Sequence, residues 1–334
     1  MVCVTRRRGP RRLPMAPFIP FSRTESDIVA ASPTPARILV TGVAGNLGRK
    51  VVEALASTPW CTSIIGVDWV EQSVQFSPQA AQRLRWVVAD LTQADGAWTA
   101  LLYEVDAVIH LAAIHSTPDA TWEQALASYG MTLNVLQAAA TRGVRRFVFA
   151  SSNHAMGAYK DQPLAGTIGP GQLIAELAPA PGTRWHNGIE EVYSLAYGTS
   201  KAMGERLCKA VAAVSGGRLS VVSLRIGWAL PDDNDPNDIN HSGTADTPEP
   251  GSVPDEASRI ALRWFRNMWL SNDDLRQLFI AAVTADPARW PAPAIVVNGV
   301  SNNSGMDWGL ETGRALIGYD PQDDLYARLK AAVQ

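Results

Sequence analysis

The feature that constrains this chain most is a trio of glycines, Gly42, Gly45 and Gly48, in the run Thr41-Gly42-Val43-Ala44-Gly45-Asn46-Leu47-Gly48. It follows a short apolar run of strand type, residues 37–41. It precedes residues 49–56, whose Val51, Val52 and Leu55 share one helical face. Strand, glycine turn and helix in that order make a seat for a pyrophosphate. The first glycine permits the tight turn, the second lets the backbone approach the phosphates, and the third lets the helix pack against the sheet. The helix N-terminus, with Asn46 and Leu47 beside it, then offers free N–H groups and a partial positive charge.

A glycine trio alone could be a glycine-rich turn, and the downstream runs decide against that. Residues 63–67 are strand-like and end in Asp68, twenty residues beyond Gly48. A carboxylate there accepts the ribose hydroxyls of NAD and repels the 2′-phosphate of NADP. No arginine stands beside it, so NAD is the expected dinucleotide. Residues 84–89 form a third run, followed by Asp90 and Leu91. Residues 107–111 form a fourth, ending in Leu111 with Ala112 and Ala113 after it, and 147–150 a fifth, after a helix over 121–141. Strands alternating with helices predict an α/β fold, a doubly wound parallel Rossmann sheet, with these residues at its carboxyl edge where ligands bind. The expected division is an NAD-binding domain over 37–230 that includes the catalytic helix, and a small substrate-binding part over 231–330.

Past the fifth run stand Ser151, Ser152, Asn153 and His154. Further on come Tyr197 and Lys201, four residues apart and so on one face of a helix. A phenol with a pKa of about 10 is a poor base at neutral pH. A neighbouring ammonium favours the phenolate and lowers that pKa. Tyr197 is therefore expected to take a proton from a substrate hydroxyl while the dinucleotide accepts a hydride, with Ser152 hydrogen-bonded to the same hydroxyl. By itself a Tyr-x3-Lys pair is more often a solvated helix face, and its weight comes from its company.

That company is the glycine run, Asp90-Leu91, His110-Leu111-Ala112-Ala113, Ser151-Ser152 and Tyr197-x3-Lys201. Together they resemble the extended short-chain dehydrogenase/reductase family over about residues 37–330. The resemblance implies Ser152, Tyr197 and Lys201 as the catalytic group, with Lys201 also on the nicotinamide ribose. It implies a homodimer paired through the helices bearing Asn134 and Tyr197. Where members often carry an asparagine, this chain has Ser128.

Within the family the chain is most similar to uronate dehydrogenases, which oxidise the anomeric carbon of galacturonate or glucuronate to a lactone with NAD. The similarity runs through Ala150–His154, Leu224-Arg225-Ile226-Gly227, Trp269–Leu275, Gly299, Ser301, Asn303, Trp308 and Ile317-Gly318-Tyr319. It implies that Asn153 and His154 bind sugar hydroxyls. Those enzymes carry substrate-contacting serines where this chain has His115 and Trp228, and Trp228 would add an apolar wall. They clamp the carboxylate with an arginine, for which Arg263 and Arg266 are the candidates, although neither falls at the same offset from Trp269. Two rival functions remain open. One is a nucleotide-sugar epimerase or dehydratase that retains NAD, and the other a non-catalytic NAD-sensing protein.

Composition excludes other classes. A net charge of −3 gives no field to recruit nucleic acid or an anionic membrane. No apolar run is long enough to span a bilayer. The three cysteines are far apart, make neither a disulfide framework nor a metal cage, and fit a reducing cytoplasm. Residues 1–36, rich in Arg and Pro, are expected to be a disordered leader outside the fold. A transit segment and a start at Met15 stay open. Residues 232–258 hold eight acids, four prolines and no Lys or Arg. They are expected to bury little and to form a flexible loop or lid. Asp232, Asp233, Asp235 and Asp238 lack the spacing of a calcium loop, so no metal is expected.

Overall fold

The computed structural model describes residues 34–115, 117–187, 189–243 and 255–331. Residues 1–33 of the expected leader and 244–254 of the acidic segment lie outside them.

The chain runs β1 (Arg37–Thr41), α1 (Asn46–Ala56), β2 (Ser63–Asp68), α2 (Pro78–Arg83), β3 (Leu84–Val88), β4 (Ala107–His110), α3 (Trp122–Thr141) and β5 (Arg146–Ser152). A 3-10 turn, Asn153–Lys160, and a hairpin of β6 (Arg184–His186) with β7 (Glu191–Tyr193) lead into α4 (Leu195–Val214) and β8 (Ser220–Ile226). Then come α5 (Glu256–Asn267), α6 (Asn272–Thr284), β9 (Ala294–Gly299), α7 (Glu311–Ile317) and α8 (Leu325–Ala331). Seven strands form one parallel sheet in the order β3-β2-β1-β4-β5-β8-β9. This is the expected doubly wound sheet, with its reversal of strand order between β1 and β4, where such sheets open a crevice. The segment after residue 230 feeds back into it, because β9 forms the edge beside β8.

Parallel strands are buried on both faces, and β1 shows how that fixes the layers. Ile38 and Val40 pack with Val51, Val52 and Leu55 of α1 and with Leu278 and Phe279 of α6. Leu39 points the other way, into a core with Val135 and Leu136 of α3, Phe147 and Phe149 of β5, and Cys208 of α4. Each such side chain contributes about 1.5–3 kcal/mol through burial.

Helix starts differ in a telling way. A Thr121–Gln124 capping box begins α3, Asp255 caps α5, and Ser271 caps α6. By contrast α1 begins at Gly45 with no side-chain cap and no acid in its first turn. Its first N–H groups are therefore open to an anion.

The acidic segment departs from expectation. Glu256–Ser258 belong to α5, because Asp255 accepts the Ser258 N–H and starts the helix. Residues 232–243 are pinned: Asn234 is 1% exposed, accepts the Leu230 N–H and donates to the Leu270 carbonyl. Local amide and turn bonds replace the apolar burial that the composition lacks. No helix among the described residues is long and apolar enough to cross a membrane.

Candidate active site

A cleft of about 310 Å³ opens at the carboxyl ends of β1, β2, β3 and β4. Eight of the expected cofactor residues line it: Gly42, Gly45, Asp68, Asp90, Leu91, Leu111, Ala112 and Ala113. Gly42 has φ +71°, and a Cβ there would sit 2.8 Å from the Ala112 backbone nitrogen. A Cβ on Gly48 would lie 2.2 Å from the Gly42 carbonyl oxygen, so only glycine lets α1 close on the turn. The Asp68 carboxylate accepts the Ala44 N–H at 2.9 Å and the Trp69 N–H at 2.8 Å, which fixes it on the wall. Asp90 accepts the Thr92 N–H and hydroxyl, bonds that hold its carboxyl below the usual range. The Asn134 amide donates to the Leu91 and Thr92 carbonyls and steadies that corner. Asn46 and Leu47 turn their side chains away, Asn46 donating to the Ala229 carbonyl at 2.9 Å and Leu47 packing on the core. What they can offer a phosphate is main-chain N–H.

The floor of the cleft is set by Thr41, whose hydroxyl accepts the Leu111 and Ala112 N–H groups at 3.2 Å each. It also pairs with His110 Nδ1 at 2.8 Å, and His110 Nε2 meets the Thr132 hydroxyl at 3.1 Å. Burial, and then the Lys201 charge, push His110 down to about 3, so it is a neutral structural hinge. Sequence reasoning missed Trp69, which is 65% exposed on the cleft rim next to Asp68. Its position directly after the strand-end acid was the available signal.

The expected catalytic group assembles beside this cleft. Ser152 ends β5, and Tyr197 and Lys201 stand one turn apart on α4. Ser152 Oγ accepts the His154 N–H at 3.2 Å, and its hydroxyl acts on Tyr197 to lower the phenol's pKa. Lys201 Nζ donates to the Ala150 carbonyl at 2.8 Å and sits 5.5 Å from the Tyr197 ring centre. Desolvation dominates here: it pushes Tyr197 up to about 12, against the Ser152 bond, and Lys201 down to about 8. The expected lowering of the phenol by Lys201 is not among the effects on Tyr197, and the amine is turned to a carbonyl. Ala112 joins the two regions, since it lines both the dinucleotide cleft and a small cavity walled by Ser128, Tyr197 and Lys201. Ser128 there accepts the Ile114 N–H at 3.0 Å.

Behind this group lies a brace absent from the expectations. Glu205 of α4 receives Arg225 of β8 through two bonds of 2.9 Å, and accepts the Ser151 hydroxyl at 2.7 Å. All three are buried. A two-pronged guanidinium–carboxylate pair is directional, so with the Ser151 bond it ties the helix bearing Tyr197 to β8 and to β5, the strand that carries Ser152. No spacing rule links residues 151, 205 and 225, and the signal was only two charges inside otherwise apolar runs.

The substrate side forms around His154. Its Nδ1 meets the Thr183 and Ser194 hydroxyls at 2.9 and 3.0 Å, and its ring lies 5.7 Å from Tyr197 and 5.9 Å from Trp228. Burial keeps it neutral, down to about 3. Asn153 donates to the Ile226 carbonyl at 2.9 Å. His154 Nε2 and Asn153 Oδ1 are buried with no partner. Trp228 continues the wall onto Phe265, ring centres 5.5 Å apart.

Three expected substrate residues are placed elsewhere. His115 is held in its own loop by Asp119 at 3.0 Å and by the Thr117 hydroxyl at 2.6 Å. Arg263 is exposed, with a guanidinium nitrogen 3.5 Å from the Gly305 carbonyl and its charge acting on Asp307. Arg266 acts on Tyr326. The cause is helical phase: on α5, Trp264 and Phe265 turn inward, and at 100° per residue Arg263 and Arg266 fall on the opposite arc.

Comparison with known proteins agrees with this fold. The family model for the NAD-dependent epimerase/dehydratase family matches residues 38–229. An L-arabinose 1-dehydrogenase (NAD(P)(+)) from Haloferax volcanii is 35% identical, over 86% of this chain and 97% of its own length. A uronate dehydrogenase from Agrobacterium fabrum is 28% identical, over 87% of this chain and 86% of its own. Among solved structures, a glucuronic acid dehydrogenase from Chromohalobacter salexigens shares the fold, with TM-score 0.62 and 23% identity over 89% of this chain and 88% of that one.

Proposed function

Since the chain belongs to the NAD-dependent epimerase/dehydratase family, we propose that it is an NAD-dependent dehydrogenase oxidising the anomeric carbon of a free sugar to a lactone, with a neutral aldose preferred over a uronate. NAD suits the cleft, given the uncapped α1 N-terminus, the glycine turn and the Asp68 carboxylate without an arginine beside it. Bound there, NAD would accept a hydride from the sugar carbon. Tyr197 takes the hydroxyl proton, Ser152 holds the same oxygen, and Lys201, protonated below about pH 8, brings a positive charge near the phenol. Asn153 Oδ1 and His154 Nε2 bind sugar hydroxyls.

The observation that carries this reading is Ala112, shared by the dinucleotide cleft and the Tyr197–Lys201 cavity, which supports a proton acceptor next to the bound cofactor. The preference for a neutral sugar is supported by the apolar Trp228 wall, by arginines facing away on α5, and by greater identity to the arabinose enzyme than to the uronate enzyme. A guanidinium is the natural carboxylate receptor, and none is among the contacts of the His154 wall.

A homodimer would cover the exposed apolar side chains Trp122, Leu126 and Leu133 on α3 and Leu195 on α4. Buried, unpaired Cys61 and Cys208 suit the cytoplasm.

The test is NADH formation by the purified protein with aldoses, uronates and nucleotide sugars. Faster turnover of an aldose than of its uronate is expected. Copurified NAD with no net NADH from any free sugar would overturn the dehydrogenase reading in favour of an epimerase.

A further inference from the structure

Buried polar atoms in folded proteins almost always have partners, and an orphan asks for an explanation. Beyond Asn153 and His154, another such orphan is Ser242 Oγ. Ser242 belongs to the acidic segment and is 2% exposed. Its own N–H is committed to Asn240 Oδ1 at 2.9 Å, so the main chain there is fixed while the hydroxyl is not. The next residue, Gly243, has φ +91°, and a Cβ on it would sit 3.0 Å from Trp228 Cζ2 and 3.2 Å from Phe265 Cδ1. Gly243 therefore packs its backbone on the Trp228–Phe265 wall, and Ser242 is the residue bonded to that glycine. The Trp228 ring leads to His154, and His154 to Tyr197.

The hydroxyl has no structural task to explain it. Asp255, not Ser242, caps α5, and the turn around Pro236 is capped by Asp235. A serine oxygen can both donate and accept, which matches a sugar hydroxyl and falls short of what a carboxylate needs.

We propose that Ser242 is a substrate-contacting residue that selects the configuration of one sugar hydroxyl distal to the anomeric carbon. The acidic segment thereby completes the sugar site from outside the Rossmann sheet. This rests on the aldose reading above and deepens it.

The test crosses Ser242→Ala with a set of monodeoxy forms of the best aldose. For the parent sugar kcat/KM falls about tenfold or more, the scale of one lost hydrogen bond in a buried site. One deoxy sugar, lacking the hydroxyl that Ser242 holds, is already slow with the wild type and loses nothing further in Ser242→Ala. The KM for NAD and the melting temperature stay unchanged. An equal loss across all deoxy sugars, or no loss for the parent, overturns the role of Ser242 and leaves the aldose reading standing. If the wild type oxidises no free sugar, the aldose reading itself falls, and Ser242's role with it.

Discussion

The two ends of the cleft are built by different means. The dinucleotide end is made of main chain: the Gly42–Gly48 turn, the uncapped start of α1, and strand tips held by Thr41 and Asn134. The end proposed for the sugar is made of side chains from separate segments: Asn153 and His154, Thr183 and Ser194, Trp228, Phe265 and, by the inference above, Ser242. A phosphate seat needs N–H groups, which every residue supplies once its backbone is shaped. A sugar seat needs particular donors and acceptors, which only particular residues supply.

The largest effect that sharpens this contrast is expected from Gly48→Val. Its Cβ would meet the Gly42 oxygen at 2.2 Å and the Val43 Cα at 2.7 Å, both backbone atoms that cannot step aside. NAD binding, followed by the thermal shift on adding NAD, should disappear. Trp228→Ala should leave that shift intact and disturb only the sugar. If Gly48→Val still binds NAD like the wild type, the dinucleotide end is not set by its backbone.

Next in size is Tyr197→Phe, at the junction of the two ends. Removing a positioned acid–base group costs typically about 10²–10⁴-fold in rate. The loss should fall on kcat with NAD affinity unaltered. Unchanged turnover would mean that the proton leaves by another route.

The difference between the ends also governs what could be read from the residues alone. Gly42, Gly45, Asp68, Asp90 and Ala112 were legible because backbone-built sites recur at fixed spacing along one chain segment. Tyr197 and Lys201 were legible because one helical turn joins them. Arg263 and Arg266 lie on the arc of α5 opposite Trp264 and Phe265, a placement that nearness in sequence to Trp269 does not give, because it says nothing of helical phase. Ser242 was hidden inside a stretch whose composition suggested solvent. Motif positions of the last third prove to be staples: Ser271 caps α6, Asp274 accepts the Ser301 hydroxyl at 2.6 Å, and Asn303 donates to the Asn267 and Trp269 carbonyls. A resemblance reports that such residues recur, and only packing tells whether they face a ligand or the core.

A smaller effect, and a sharper one, is expected in the pH profile. The proposed mechanism requires Tyr197 as phenolate and Lys201 as ammonium, groups lying near 12 and near 8. The population holding both rises tenfold per pH unit below about 8 and is flat between 8 and 12, because each phenolate gained is matched by an ammonium lost. The logarithm of kcat should thus climb with unit slope and bend near pH 8. Lys50, lowered to about 8 by burial, titrates in the same range. The bend must vanish in Lys201→Met and persist in Lys50→Met. A bend that follows Lys50 would place the working charge at the other end of the cleft.

The smallest effect is the one that could break the comparison, because the two ends are joined. In the first turns of α1, Asn46 donates to the Ala229 carbonyl, and Lys50 Nζ donates to the Leu230 carbonyl at 2.7 Å and to Asn272 Oδ1 at 2.6 Å. Ala229 and Leu230 directly follow Trp228, so the helix proposed to seat the pyrophosphate also holds the Trp228 wall. Each bond is worth about 0.5–1.5 kcal/mol net. Lys50→Met should therefore raise the KM for sugar severalfold while the KM for NAD moves little, and Lys50→Arg should restore part of it. If both KM values rise together, the ends are one mechanical unit, and dividing them by how they are built does not divide how they work.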